Sequence, residues 1–269
     1  MEKIRVGIAG AAGYSGLELF RILVRHPGVE IAFITSEQHA GRPISDFLPE
    51  QQGGFDPVFS ALEPASLSGM ADLVFLALPV ETSLDRAAGF LADSVVIDLS
   101  AAFRLGDRSV FEHWYKQQHT VPELLPEAVY GLTEWNRDAI RQARLIANPG
   151  CYPTSVLLPL LPLVARGYVG GKRIIIDAKS GVSGMGRKIV PETSFCEIAG
   201  NFRAYGVATH RHTPEIAQEL CAARDTALDV VFTPHLLPLE RGILSTVYFE
   251  SDKSAGDCLD LLSHFYEGE

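Results

Sequence analysis

No apolar run in these 269 residues approaches the ~20 needed to cross a bilayer, so the sequence offers no membrane-spanning helix. The start, Met1-Glu2-Lys3-Ile4-Arg5, leads into a strand without a signal-peptide core, and a cytoplasmic protein is expected. Cysteine is scarce. Cys151, Cys196, Cys221 and Cys258 lie far apart with no CxxC pair, which excludes a dithiol redox motif or a zinc ribbon and leaves any special cysteine to be argued alone. Positive charge is also short. With 23 Lys+Arg against 33 Asp+Glu, the net charge of −10 disfavours nucleic acid and anionic membranes as partners, though not a local basic pocket for a small anion. Internal repeats and low-complexity tracts are absent. What remains is ordinary globular composition, 47% apolar and 21% charged, in a chain whose length suits two domains.

The first 150 residues alternate strand and helix. Ile4–Ala9 is a β-branched run ending in glycine, and Leu17, Phe20, Leu23 and Val24 then recur at helical spacing. Residues 29–36, 72–78 (DLVFLAL) and 95–99 (VVIDL) read as further strands, with a helix around 83–91. Strands that are apolar nearly throughout are buried on both faces, which implies a parallel sheet covered by helices. Residues 38–69 are rich in Pro, Gly and Ser and predict a long loop, functional or mobile. Beyond Cys151 the strands at 172–179, 230–236 and 244–249 are no longer separated regularly by helices, and one clear helix spans 213 to about 223. The expectation is an α/β protein: a Rossmann-type parallel-sheet domain over residues 1–150 and an α+β domain with a mixed sheet over 151–269.

Four motifs carry chemistry. Gly10-Ala11-Ala12-Gly13-Tyr14-Ser15-Gly16 sits between the first strand and helix, where glycines permit close backbone approach and helix-end amides hold a pyrophosphate. Its spacing is GxxGxxG, and a turn with no ligand is the alternative. The second strand ends in Thr35-Ser36 with no carboxylate at its tip for the ribose hydroxyls, which favours NADP over NAD, although Glu37 follows and the nearest arginine is Arg42.

The second motif is Asn148-Pro149-Gly150-Cys151-Tyr152-Pro153-Thr154. Pro153 suits the first position of a helix, so Cys151 is expected just ahead of a helix N-terminus, whose dipole favours the thiolate. Buried structural cysteine is the default for Cys196, Cys221 and Cys258. In the third, His210-Arg211-His212-Thr213-Pro214-Glu215-Ile216, Thr213 is expected to cap a helix beginning at Pro214, with both histidines on the approach. General acid/base work, a metal pair lacking a third ligand and surface histidines are the three readings. The fourth, Ser180-Gly181-Val182-Ser183-Gly184-Met185-Gly186-Arg187-Lys188, offers backbone N–H groups and two cations for a phosphate or carboxylate, or is a plain turn.

In this order the motifs resemble the N-acetyl-gamma-glutamyl-phosphate reductase family, related to aspartate-semialdehyde dehydrogenases. GAAGYSGLEL, VVFLALP, DLSAAFRL, YGLTEWNRDAI, NPGCYPT, SGVSGMGRK, TSFCEI, YGVATHRHTPEI and FTPHLLPLERGIL carry the resemblance. It implies Cys151 as nucleophile and His212 as acid/base, with Asn148, Ser183, Gly184, Arg187, His210 and Arg211 toward the substrate. It implies NADP held by Gly10, Ala12, Gly13, Tyr14, Ser15, Gly16 and Ser36, no metal, and a homodimer or homotetramer. The implied reaction is NADPH-dependent reduction of an acyl phosphate through a cysteine thioester, releasing inorganic phosphate. One departure is the ending at Tyr266-Glu267-Gly268-Glu269, in an apparently unfinished helix and well short of the family's usual length. An aminoadipate-type substrate and a non-catalytic nucleotide-binding module are the two alternatives.

Overall fold

A computed structural model describes residues 2–187, 191, 194–224 and 226–269. In chain order the elements are β1 (Ile4–Ala9), α1 (Tyr14–Leu23), β2 (Val29–Ile34), α2 (Pro64–Leu67), β3 (Leu73–Leu76), α3 (Val80–Leu91), β4 (Val95–Asp98), α4 (Arg108–Tyr115), β5 (Ala128–Tyr130), α5 (Thr133–Ile140), β6 (Leu145–Ala147), α6 (Cys151–Ala165), β7 (Gly170–Ser180), α7 (Phe195–Ile198), β8 (Arg203–Ala204), α8 (His212–Arg224), β9 (Asp229–Leu236), β10 (Ile243–Glu250) and α9 (Ala255–Phe265). The chain divides into two compact units, Met1–Gly106, His119–Gly131 and Asp138–Asn148 in the first, Asp107–Gln118, Leu132–Arg137 and Pro149–Glu269 in the second. In this division α4 and the start of α5 cluster with the second unit.

The first unit is built on a six-stranded sheet in the order β2-β1-β3-β4-β6-β5, parallel at every pairing. The order reverses direction between β1 and β3, the kind of position where an open parallel sheet leaves a crevice at its carboxyl ends. Val6, Ile8, Leu17, Phe20 and Ile34 form one core cluster, each large side chain contributing roughly 1.5–3 kcal/mol by burial. Residues 38–69 form a loop with short irregular pieces, and it is a packed one. Ile44, Leu48, Phe59 and Leu62 are buried almost completely, and bridges Thr35↔Ser60 and Pro43↔Val58 tie the segment down. Its Pro and Gly residues shape an arm whose apolar residues belong to the core, which composition alone hides.

The second unit carries a mixed sheet in the order β10-β7-β9-β8, with β7 and β9 parallel and both outer pairs antiparallel. One face, with Ile174, Ile176, Ala178, Phe232 and Leu236, is buried under α6 and α8. On the other, Ile175, Val231, Leu244 and Tyr248 are exposed. Helix α6 is apolar nearly all round because α8, α9 and β10 pack about it. Pro162 inside it cannot donate to the carbonyl of Leu158, and the Tyr266 hydroxyl takes that oxygen instead. Helix α9 starts with a Ser254/Asp257 capping box, and Tyr266 N–H returns to Leu262 O. No helix among the described residues is long and apolar enough to cross a membrane.

Candidate functional site

In the first unit the glycine turn is determined sterically. Gly10 has φ +84°, and a Cβ there would lie 2.4 Å from the Ala77 carbonyl oxygen; a Cβ on Gly16 would lie 2.6 Å from Ala11 Cα. These two glycines let the turn pack against β3 and against itself. Gly13 differs: it is the N-cap of α1, with ordinary φ −73°, and its Cβ would meet only Gly10 O, at 3.6 Å. The chain's own packing leaves that side open. Helix α1 has no side-chain cap; the Gly13 N–H donates to Gly10 O at 3.3 Å, and the helix N-terminus that begins at Tyr14, Ser15 and Gly16 suits an anionic ligand through its dipole. Ala12 is buried in the turn, while Tyr14 and Ser15 are exposed.

The tip of β2 is already engaged. Thr35 is buried, its hydroxyl accepting from Gly10 N–H at 3.2 Å and its carbonyl from Ala11 N–H at 2.9 Å, which fixes the turn. Ser36 is nearly buried and donates its N–H to Ser60 O. Glu37, the nearest carboxylate, accepts from Leu62 N–H at 2.8 Å, and Arg42 pairs with Asp46 at 2.8 Å.

Asn148 follows β6 and is pinned through its backbone: its N–H donates to Asp98 O, and its carbonyl accepts from Arg104 Nε at 2.7 Å. Arg104 is itself buried and also donates to Leu99 O. Burial holds the Asp98 carboxyl above the usual range against hydrogen bonds from the Ser100 N–H and hydroxyl. DLSAAFRL thus braces the run into Asn148, a role the sequence reading did not assign to Arg104; a lone arginine in an apolar stretch was the available signal.

In the second unit, α6 begins two residues earlier than expected, at Cys151 rather than Pro153. Gly150 is the N-cap, Cys151 the first helical residue and exposed, and Pro153 the third. The backbone ladder starts at Thr154, whose N–H and hydroxyl both donate to Gly150 O at 2.9 Å. The Gly150 N–H donates to the buried Glu215 carboxylate at 2.8 Å. Tyr152 is buried, with its ring edge-on to His210 at 5.7 Å and to His212 at 5.9 Å between centroids. Its hydroxyl meets that of Tyr205 at 3.1 Å, and burial pushes both phenols up, so both stay neutral.

Helix α8 starts at His212, not at Pro214, and Thr213 is not its cap. The expected hydroxyl cap is replaced by His210, whose Nδ1 accepts from His212 N–H at 3.2 Å. Burial, with the Arg211 charge second, pushes His210 down to about 4, so its ring is neutral, and with Nδ1 accepting, the proton rests on Nε2. The two imidazoles lie 4.9 Å apart. Arg211 is exposed and its guanidinium covers the Tyr115 ring at 5.1 Å.

The fourth motif is corrected. The N–H groups of Gly181, Val182 and Ser183 donate to the carbonyls of Gly242, Leu239 and Glu240, so these amides do not form an anion nest. Ser183 and Gly184 lie in a 3-10 turn, Arg187 is exposed, and Lys188, like Thr193 of TSFCEI, lies outside the described residues.

Comparison with known proteins agrees with this arrangement. A family model described as semialdehyde dehydrogenase, NAD binding domain, matches residues 5–143, and one described as semialdehyde dehydrogenase, dimerisation domain, matches residues 151–269. The N-acetyl-gamma-glutamyl-phosphate reductase of Nitrosococcus oceani is 49% identical over 267 residues, covering 99% of this chain and 78% of the relative. That of Citrifermentans bemidjiense is 48% identical over 270 residues, with the same coverage. Among solved structures, aspartate semialdehyde dehydrogenase II from Vibrio cholerae shares the fold, with TM-score 0.74 at 18% identity over 99% of this chain and 80% of that one.

Proposed function

The chain belongs to the N-acetyl-gamma-glutamyl-phosphate reductase family, and from that premise we propose that it reduces N-acetyl-L-glutamyl 5-phosphate to the 5-semialdehyde with NADPH, releasing phosphate, as a step of arginine biosynthesis. One observation carries the catalytic assignment: Cys151 is exposed at the first position of α6, where helix-end amides favour a thiolate, and two imidazoles flank the neighbouring Tyr152.

The glycine turn fits a dinucleotide. Gly10, Ala12, Gly13, Tyr14, Ser15 and Gly16 would hold its pyrophosphate, and Ser36 its ribose end. β2 runs out into Thr35-Ser36, and the Glu37 carboxylate that follows is turned to the Leu62 N–H rather than held at the strand tip for ribose hydroxyls, which supports NADP. When bound, the nicotinamide supplies the hydride. The Cys151 thiolate attacks the acyl carbon, phosphate leaves, and Cys151 holds a thioester, a better hydride acceptor than a carboxylate. Cys151 then carries the thiohemiacetal formed on reduction. His212 gives a proton to the developing oxyanion and takes it back as the C–S bond breaks, freeing the aldehyde and the thiolate. His210, neutral with its proton on Nε2, is a donor to a substrate oxygen across a wide pH range. Asn148, Ser183, Gly184, Arg187 and Arg211 are the further substrate candidates; for Ser183 and Gly184 the hydroxyl and the exposed backbone remain after the amide at 183 is committed.

Relatives carrying one name at 46–49% identity favour N-acetylglutamyl phosphate over an aminoadipate-type substrate and an enzyme over a non-catalytic module. The exposed apolar sheet face supports association of copies as a homodimer or homotetramer. A reactive, exposed thiol suits the reducing cytoplasm. The test is phosphate-dependent oxidation of the semialdehyde by the purified chain. Cys151→Ser abolishes turnover and keeps NADPH binding; turnover by that variant refutes the assignment.

A further inference from the structure

We infer that Glu215 is a positioning residue that sets the N-terminus of the nucleophile helix by holding the Gly150 amide, an assignment that rests on the reading of Cys151 as nucleophile. A helix end is ordinarily organised by its own side chains: the N-cap side chain covers a first-turn amide, and a Glu or Gln at the third helical position reaches back to the N-cap N–H. Helix α6 has neither device. Its N-cap is Gly150, with no side chain, and its third residue is Pro153, with no acceptor and no N–H. A carboxylate from another helix does the work instead, since Glu215 of α8 accepts from Gly150 N–H at 2.8 Å with only 1% of its surface exposed.

The consequence is local and directional. Gly150 is held at both ends, its carbonyl by the N–H and hydroxyl of Thr154 at 2.9 Å and its amide by Glu215. Together the two contacts fix the peptide planes on either side of Gly150, Glu215 the one before it and Thr154 the one that leads into Cys151, and so set the entry of the chain into the first turn of α6, whose amides stabilise charge at the helix end. Glu215 stands in the first turn of its own helix too, so two helix N-termini face one carboxylate and compensate its burial. The same α8 turn begins with His212, which places the proposed acid/base and the proposed brace three residues apart on one rigid element.

Two conservative variants separate the accepted hydrogen bond from the charge. Glu215→Gln keeps an oxygen at the same reach and removes the charge; Glu215→Asp keeps the charge and withdraws it by one methylene. The measurements, on the full chain, are kcat and KM in the phosphate-dependent assay, NADPH binding by fluorescence, and the pH dependence of iodoacetamide alkylation of the Cys151 peptide followed by mass spectrometry. The expected result is a fall in kcat of about tenfold or more for Glu215→Asp, the worth of one hydrogen bond withdrawn from the Gly150 amide, with KM and NADPH binding held and the alkylation profile moved to higher pH. Glu215→Gln stays within about threefold of wild type. Wild-type kcat and alkylation in both variants overturn the inference, as does the reverse order, which would make charge the operative property. Equal loss in both with an intact fold overturns it too. If even the wild type fails to turn over while alkylation shows the expected order, the proposed activity falls and the brace stands.

Discussion

Gly13→Ala is the sharpest probe of the glycine turn, because the protein's own packing does not require glycine there. The added methyl meets only Gly10 O at 3.6 Å, an ordinary contact, and φ is −73°, where alanine is at ease. Alanine at an N-cap costs under about 1 kcal/mol relative to glycine, and the loss of unfolded-state freedom returns about 0.4–1 kcal/mol, so the net change in stability is near zero. A dinucleotide phosphate lying on that open side would lose one or two amide contacts, each worth about 1.5–3 kcal/mol, so NADPH affinity falls by roughly 10–100-fold or more. Gly16→Ala is the control. Its Cβ would sit 2.6 Å from the backbone at Ala11 and Gly10, which forces α1 outward and costs about 1–3 kcal/mol in stability as well as affinity. Thermal melts and NADPH fluorescence titration on both variants decide the matter. A Gly13→Ala protein that melts normally and binds NADPH as tightly as wild type would refute the turn as the phosphate site.

The remaining expectations concern buried charge and the exposed face. Burial pushes Glu219 up to about 7 from its ordinary value near 4.5, with Glu215 adding to the shift. A raised carboxylate is fully accommodated below about pH 4.5 and costs stability as pH rises through 7. Glu219→Gln should therefore gain about 2–3 kcal/mol on wild type between those limits, read from urea unfolding at several pH values; a pH-independent difference refutes this. His210 runs the other way: depressed to about 4, it contributes stability above about pH 6.5 that is lost as pH falls toward 4, and His210→Gln should flatten that limb in the same experiment. Leu244→Lys with Tyr248→Lys places two cations on the exposed β10 face and should shift the assembly toward monomers in sedimentation velocity, without moving far-ultraviolet dichroism.

The parallel sheet was readable because its strands are apolar on both faces, and Cys151 was readable because Pro-Gly before it and Tyr-Pro after it mark a turn into a helix. Helix starts were misplaced by two residues at α8 for an instructive reason: proline tolerates any of the first three helical positions, none of which needs its N–H, so Pro153 and Pro214 mark the first turn without naming its first residue. The burial of residues 38–69 was not legible because Ile44, Leu48, Phe59 and Leu62 follow no period, being set by irregular turns rather than by a helix or strand. The 180–188 motif misled because a Gly/Ser run says that amides can be presented and nothing about whether a neighbouring strand end, here residues 239–242, has already taken them. Glu215 carries no signal of its own in HRHTPEI, since its partner lies 65 residues away and no local pattern encodes that.

Helix α6 is held at more than its Cys151 end. The hydroxyl of Tyr266, its phenol pushed up to about 12 by burial, fills the gap that Pro162 leaves at Leu158. A rod restrained at two places along its length moves as a lever only if one restraint gives way. Tyr266→Phe, remote from the thiol, should therefore be felt there as a broader spread of thiol orientations: slower and more heterogeneous alkylation of Cys151, with the helix itself still folded.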